Sequence, residues 1–98
     1  MIKLECKRIR FYSELDELSF SERMNKIKCI ESWEGKSDSI LIYIKSKIVS
    51  DICLRELIAL FHRYKISMSQ LLIFLSDKNK IWLMNDKAFW YKKIFKDL

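Results

Sequence analysis

The sequence predicts an α+β domain: a small mixed or antiparallel sheet of about three strands in the order β-α-β-β-α, followed by a C-terminal cluster of short helices. Three observations predict it. "IKLECK" alternates apolar and polar residues, the period of a half-buried strand. "ESWEGKSDSILIYI" sets two strand-like runs on either side of the only glycine, Gly35. "SDICLRELIALF" repeats apolar residues at helical spacing behind a serine suited to capping.

In the first strand Ile2, Leu4 and Cys6 share one face, and Lys3, Glu5 and Lys7 the other. Apolar parity then switches to Ile9 and Phe11, which places a bulge or the strand's end near Arg8. The first helix has two candidate starts. Ser13 with Asp16 and Ser19 with Glu22 both have N-cap spacing, and only the second is a full capping box. Phe20, Met24 and Ile27 then form one narrow apolar stripe.

A hairpin follows, with strands near 28–34 and 39–45 joined by the "EGKSDS" turn. Ile40 to Ile44 is apolar at every position, which predicts a central strand covered on both faces. In the second helix Ser50 is the N-cap, Asp51 suits the positive helix end, and Leu54, Leu57, Ile58 and Phe61 mark the core stripe. Asp51 and Arg55 stand at ion-pair spacing. Ser67 and Gln70 repeat the capping-box spacing, so "MSQLLIFL" reads as a short helix, with a strand the alternative for residues 68–75. Ser76 or Asp77 is placed to cap "KNKIWLM", and Asn85 or Asp86 to cap the last helix.

Residues 1–98 are read as one domain, because 98 residues close a single modest core and the chain has no Pro and no flexible linker. With 50% apolar and 33% charged residues the composition is globular rather than disordered. "MIKLECKRIRFY" has no apolar h-region, so a signal peptide is not expected. The runs "ILIYI" and "LLIFL" fall far short of the roughly 20 residues that span a bilayer. Cys6, Cys29 and Cys53, odd in number and without a CxxC pair, read as small hydrophobes of a reducing compartment. A soluble, cytoplasmic protein is the expectation.

Catalysis is not expected. His62, the only histidine, follows Cys53 by about 900° of helical rotation, so the two point to opposite faces and form no dyad. One glycine rules out a Gly-rich phosphate loop. One histidine and three scattered cysteines are too few ligands for a zinc site. The acid pairs Asp16/Glu17 and Glu31/Glu34 read as solvated side chains. The expectation is therefore no enzyme, no cofactor and no metal.

The closing "DKAFWYKKIFKDL" is aromatic and basic together. On a helix over residues 86–96, Trp90, Ile94, Tyr91, Phe95 and Ala88 fill one arc of roughly 160°, a packing face, with Lys92, Lys93 and Lys96 opposite. Phe89 alone falls among the lysines, fewer rings than a nucleic-acid platform uses.

Net charge is +6, from 19 Lys+Arg against 13 Asp+Glu, but it is unevenly spread. Between Ser13 and Asp38 seven acids face four bases, so that segment carries −3 and the remainder +9. Two poles suit protein recognition better than a uniformly basic surface does.

"LRELIALFHRYKISMSQLLIF" followed by "NKIWLMNDKAFWYKKIF", with "FYSELDELSF" near the start, resembles small bacterial proteins encoded beside polymorphic toxins, the immunity proteins of contact-dependent growth inhibition (CDI) systems. These stretches cover about half the chain, and the likeness lies in helix patterning and aromatic spacing rather than in a catalytic signature. Members of that group carry Asp-Pro where this chain has Asp86–Lys87, and both residues suit a first helical turn. The resemblance implies a toxin inhibitor that binds a cognate toxin C-terminal domain, a nuclease or more narrowly a ribonuclease. It would occlude the active site or substrate cleft by protein–protein interaction, with no chemistry of its own. Small-molecule substrate, membrane and nucleic acid are then not expected partners.

A nuclease cleft is basic, so its inhibitor should present acids. The predicted partner-binding residues are accordingly Glu14, Asp16, Glu17, Glu22, Glu34 and Asp38, with Trp33 either an aromatic anchor or a core residue. A pI near 9.3 keeps a second reading open, a small basic nucleic-acid-binding regulator.

Overall fold

The unbroken apolar run of residues 40–44 becomes the middle of a sheet. In the computed structural model, which describes residues 1–96, β1 (Ile2–Lys7), β2 (Ile30–Lys36) and β3 (Ser39–Ile44) form one antiparallel sheet in the order β1-β3-β2. The register sets Leu4 and Cys6 opposite Ile42 and Ile40, and Trp33 opposite Ile42. Leu4, Cys6, Ile42 and Ile44 are buried on the face that meets the helices. The second face is not covered as the sequence predicts. It carries exposed Lys3 and Glu34 and half-exposed Tyr43, and only Leu41, flanked in register by Glu5 and Glu34, is closed off from solvent.

A bulge in β2 between Ile30 and Ser32 solves a parity problem. Ile30 and Trp33 are an odd number of residues apart and would face opposite ways in a regular strand. The extra residue, Glu31, lets both pack against the core. The parity switch after β1 has a different cause, a strand end. Arg8 adopts a left-handed φ of 54° and donates its N–H to the Asp38 carbonyl at 3.0 Å, after which Ile9 and Phe11 turn back onto the core. The tight turn of the hairpin uses Ser37, with φ of 58°, while Gly35 lies within β2.

α1 (Glu14–Lys26) starts at the earlier of its two candidate caps. Ser13 Oγ accepts the Asp16 N–H at 3.3 Å, and the Asp16 carboxylate accepts the Tyr12 N–H at 3.0 Å. Phe20 of its stripe is gripped edge-on by Phe11, Tyr64 and Trp33, with centroids at 5.5, 4.9 and 6.5 Å. One ring thus joins the segment after β1, β2, α1 and the end of the second helix.

α2 (Asp51–Arg63) is capped by Ser50, whose Oγ accepts the Cys53 N–H at 3.1 Å, and buries Leu54, Leu57, Ile58, Leu60 and Phe61. Arg55 does not pair with Asp51. Its guanidinium lies 4.0 Å from the Trp82 ring centroid, where the aromatic face offers more than a solvated carboxylate one turn away. α2 ends in a Schellman turn. Lys65 N–H bonds the His62 carbonyl, Ile66 N–H bonds the Phe61 carbonyl at 2.9 Å, and Lys65 takes the left-handed φ of 57°. Buried Ile66 and Phe61 supply the apolar contact that accompanies this motif.

Beyond it the chain is mostly turns. Residues Met68–Phe74 form a 3-10 helix, settling the helix-or-strand alternative, and α3 (Lys80–Leu83) and α4 (Tyr91–Ile94) are single turns. Ser67 makes no side-chain cap. Gln70 instead reaches across to β1, accepting the Glu5 N–H at 2.7 Å and donating to the Glu5 carbonyl at 2.9 Å and the Ser67 carbonyl at 3.0 Å. Neither Ser76 nor Asp77 caps α3 with its side chain. Buried Asn79 precedes it, accepting the Ser76 N–H and donating to the Phe74 carbonyl, both at 2.8 Å. The helix expected over 86–96 shortens to α4. Asn85 accepts the Lys87 N–H in a local turn, and the Trp90 indole donates to the Leu83 carbonyl at 2.8 Å, folding the chain back on itself. Ile94 and Phe95 are buried nonetheless, so the packing face survives the loss of helix.

Two stability outcomes follow from these turns and clamps. Lys65→Gly removes a left-handed side chain and should stabilise by about 1 kcal/mol, raising Tm by roughly 4–8 °C in a thermal melt. Gln70→Leu strips both Glu5 backbone groups of their partner and should cost about 1–3 kcal/mol by urea unfolding.

Candidate partner-binding surface

The narrowness of the α1 stripe leaves most of that helix facing water. At about 100° per residue, Glu14, Leu18, Glu22 and Leu15 fill one arc opposite Phe20 and Met24, whereas Glu17 lies one turn before Phe20 at the edge of the packing stripe. Leu15 is 72% exposed, Leu18 54%, and Tyr12 in the turn just before the helix 77%. Three large apolar side chains therefore stand in solvent among three acids. Among the described residues, none of Glu14, Glu17 and Glu22 joins an ion pair. Beside it a groove of about 450 Å³ opens between α1 and α2, lined by Glu22 and Glu56, by Arg23 and Lys26, and by the exposed Ile52, so its charge is balanced.

The other predicted partner-binding residues do not join this strip. Asp16 is half-buried and spent on the helix cap. Trp33 packs on Phe20, and its indole N–H donates to Asn25 at 3.0 Å, which places it at the margin of the core. Glu34 lies on the outer face of the sheet, accepting the Tyr43 hydroxyl at 3.1 Å. Asp38 sits at the hairpin turn with its carboxylate 3.9 Å from Arg8 Nε. The structure thus sets Glu14 and Glu22 on the outward arc of α1, leaves Glu17 exposed at the edge of its packing stripe, and disperses the rest. Tyr12, Leu15 and Leu18 were missed by sequence reasoning, although their absence from the apolar stripe was the available signal.

A second feature has the opposite charge. A groove of about 820 Å³ runs between the end of β1, the Schellman turn and the tail, lined by Lys7, Lys65, Lys92, Lys93 and Lys96 with His62. His62 is exposed, its Nδ1 3.3 Å from Lys93 Nζ and its ring 4.5 Å from that of Phe89. The sequence shows the tail lysines but gives no sign that Lys7 and Lys65 join them.

The cysteines are less scattered in space than in sequence. Cys6 is fully buried, and burial pushes its thiol up to about 12. Cys29 and Cys53 touch, the one just before β2 and the other in the first turn of α2. Burial and then the contact with Cys53 push Cys29 up to about 12. Burial also pushes Cys53 upward, but hydrogen bonds from Ser50, from the Cys29 side chain and from the backbone of Cys29 and Lys28 outweigh it and lower its pKa.

Among the described residues, no group of three His, Cys, Asp or Glu side chains is placed to hold a metal ion, and no helix is long and apolar enough to cross a membrane. No protein-family model, curated protein or solved structure matches the chain.

Alkylation of the native protein with iodoacetamide near neutral pH should modify Cys53 first and leave Cys6 untouched until unfolding, as read by peptide mass spectrometry. Equal rates at Cys6 and Cys53 would contradict these assignments.

Proposed function

We propose that this protein is an immunity protein of the contact-dependent growth inhibition type. It binds the toxin domain encoded beside it, a nuclease, and blocks the active site or substrate cleft. The observation that carries the reading is the outward side of α1, where Leu15 and Leu18 stand exposed with Glu14 and Glu22, Tyr12 precedes them and Glu17 is exposed on the adjoining side. Exposed aromatic and aliphatic side chains are what interface centres desolvate, and acids beside them match a cleft that binds phosphates. The sequence resemblance to CDI immunity proteins points the same way. The strip shares no residue with the basic groove, although Arg10, Arg23 and Arg63 stand beside Tyr12 and would border a bound partner.

Binding is tested by calorimetry against the purified toxin domain encoded immediately upstream. The triple variant Glu14→Lys, Glu17→Lys, Glu22→Lys should lose at least about 2 kcal/mol of binding free energy, and Tyr12→Ala about 2 kcal/mol. All four side chains are exposed, and the two first-turn lysines should cost only about 1–2 kcal/mol of stability, checked by a thermal melt. Lys92→Glu, Lys93→Glu, Lys96→Glu should change affinity much less. Loss of binding in the tail variant with retention in the acid variant would place the interface elsewhere. Failure of co-expression to protect cells from that toxin domain overturns the reading altogether.

A further inference from the structure

The groove at the end of α2 is a strongly charged concavity that the inhibitor reading does not use. Its lysines come from three separate parts of the chain: Lys7 closes β1, Lys65 occupies the Schellman turn, and Lys92, Lys93 and Lys96 follow from the tail. Like charges brought together by a fold repel one another unless an anion lies between them. The groove's one acid does little to offset them. The Glu5 carboxylate is 3.9 Å from Lys7 Nζ and accepts the Ser39 hydroxyl at 3.2 Å.

Phe89 is the second, independent feature. Its ring is 54% exposed, yet it is held between His62 at 4.5 Å and Trp90 at 5.2 Å, the latter edge-on at 79°. A flat apolar face is thereby fixed next to His62, a lining residue of the groove, instead of folding into the core. The groove, of about 820 Å³, is open to solvent along its lysines.

We propose that this groove binds single-stranded nucleic acid, with the lysines on successive phosphates and the Phe89–His62 pair offering a base its stacking surface. A duplex hides its base faces, so the fixed ring would have nothing to stack on. An acidic peptide would satisfy the lysines and leave Phe89 idle. Stacking combined with backbone charge is the mode by which proteins hold single strands without reading sequence, and His62 against Phe89 supplies the second ring that the sequence pattern lacks. The site shares no residue with the α1 strip and does not depend on the inhibitor reading.

The test is fluorescence anisotropy of the full chain with labelled oligo-uridylate and oligo-thymidylate of about eight nucleotides, from about 20 to 200 mM salt. Binding should weaken with salt at a log–log slope of roughly −2 to −3, the slope falling by about 0.7 for each lysine in Lys92→Gln and Lys93→Gln. Phe89→Ala should weaken binding at least about fivefold at an unchanged slope, and Phe89→Tyr, which keeps the ring, should restore it. No binding at the lowest salt overturns the proposal. So does equal binding of a duplex of the same length, of polyglutamate, or of vesicles of phosphatidylserine and phosphatidylcholine. A Phe89→Tyr variant as weak as Phe89→Ala removes the stacking role and the single-strand assignment with it.

Discussion

Everything that follows α2 is referred to the sheet through the free edge of β1. β1 pairs only with β3, so the outward N–H and carbonyl of Glu5 have no strand to meet. Gln70, 65 residues away, supplies both partners with one side-chain amide and so behaves as a single residue of a fourth strand. A longer strand in that place would be a template for edge pairing, whereas one amide closes the edge locally. By magnitude the clamp is not what holds the C-terminal half down. Burying Leu71, Phe74, Leu83, Ile94 and Phe95 is worth about 1.5–3 kcal/mol each, against about 1 kcal/mol net for each hydrogen bond. Apolar burial tolerates sliding, however, and the amide does not. Gln70 fixes the first of the turns against β1, and the basic groove forms where the tail, packed on that turn, comes beside Lys7.

That placement concentrates part of the charge. The sequence carries +6 with its acids concentrated early, and folding gathers five lysines at one groove while elsewhere acids and bases stay mixed, as Glu22 and Glu56 do with Arg23 and Lys26. The tail lysines gather with Lys7 and Lys65 around that groove, while Glu14 and Glu22 face solvent on the outward side of α1. Neither arrangement is needed by the core, since Phe20, Met24 and the α2 stripe close it without them. Charge left out of a core and still gathered in one place costs some self-repulsion and favours an oppositely charged partner there.

The regular elements were legible because each carried its period: alternation in β1, the apolar run of β3, the stripe of α2. What the sequence reading missed shares a cause. Arg55 leaves Asp51 for Trp82, Gln70 leaves the Ser67 cap for Glu5, and Trp90 breaks its own helix to reach the Leu83 carbonyl. Arg55 and Gln70 found partners far along the chain where a local rule predicted a neighbour, and Trp90 reached seven residues back, beyond the period of a helix. Local spacing carries no information about such partners, so the C-terminal third, rich in them and poor in period, read least well. Of the candidate site, the acids at 14, 17 and 22 were found from charge alone. Their apolar companions were not, because an exposed leucine in a helix looks like a core leucine until the stripe is known to be narrow.

The narrowness of that stripe has a further consequence. A helix that packs through Phe20, Met24 and the capping Ile27 is fastened mainly by one aromatic ring and its three edge-on neighbours. Each such pair is worth about 0.5–1.5 kcal/mol beyond area burial, enough to seat the helix without help from Leu15 or Leu18. Those leucines therefore contribute little to folding and present apolar surface to water. The two sides of the helix differ accordingly in what a substitution costs. Truncating Leu15 or Leu18 changes stability little, whereas truncating Phe20 removes the ring on which three others pack.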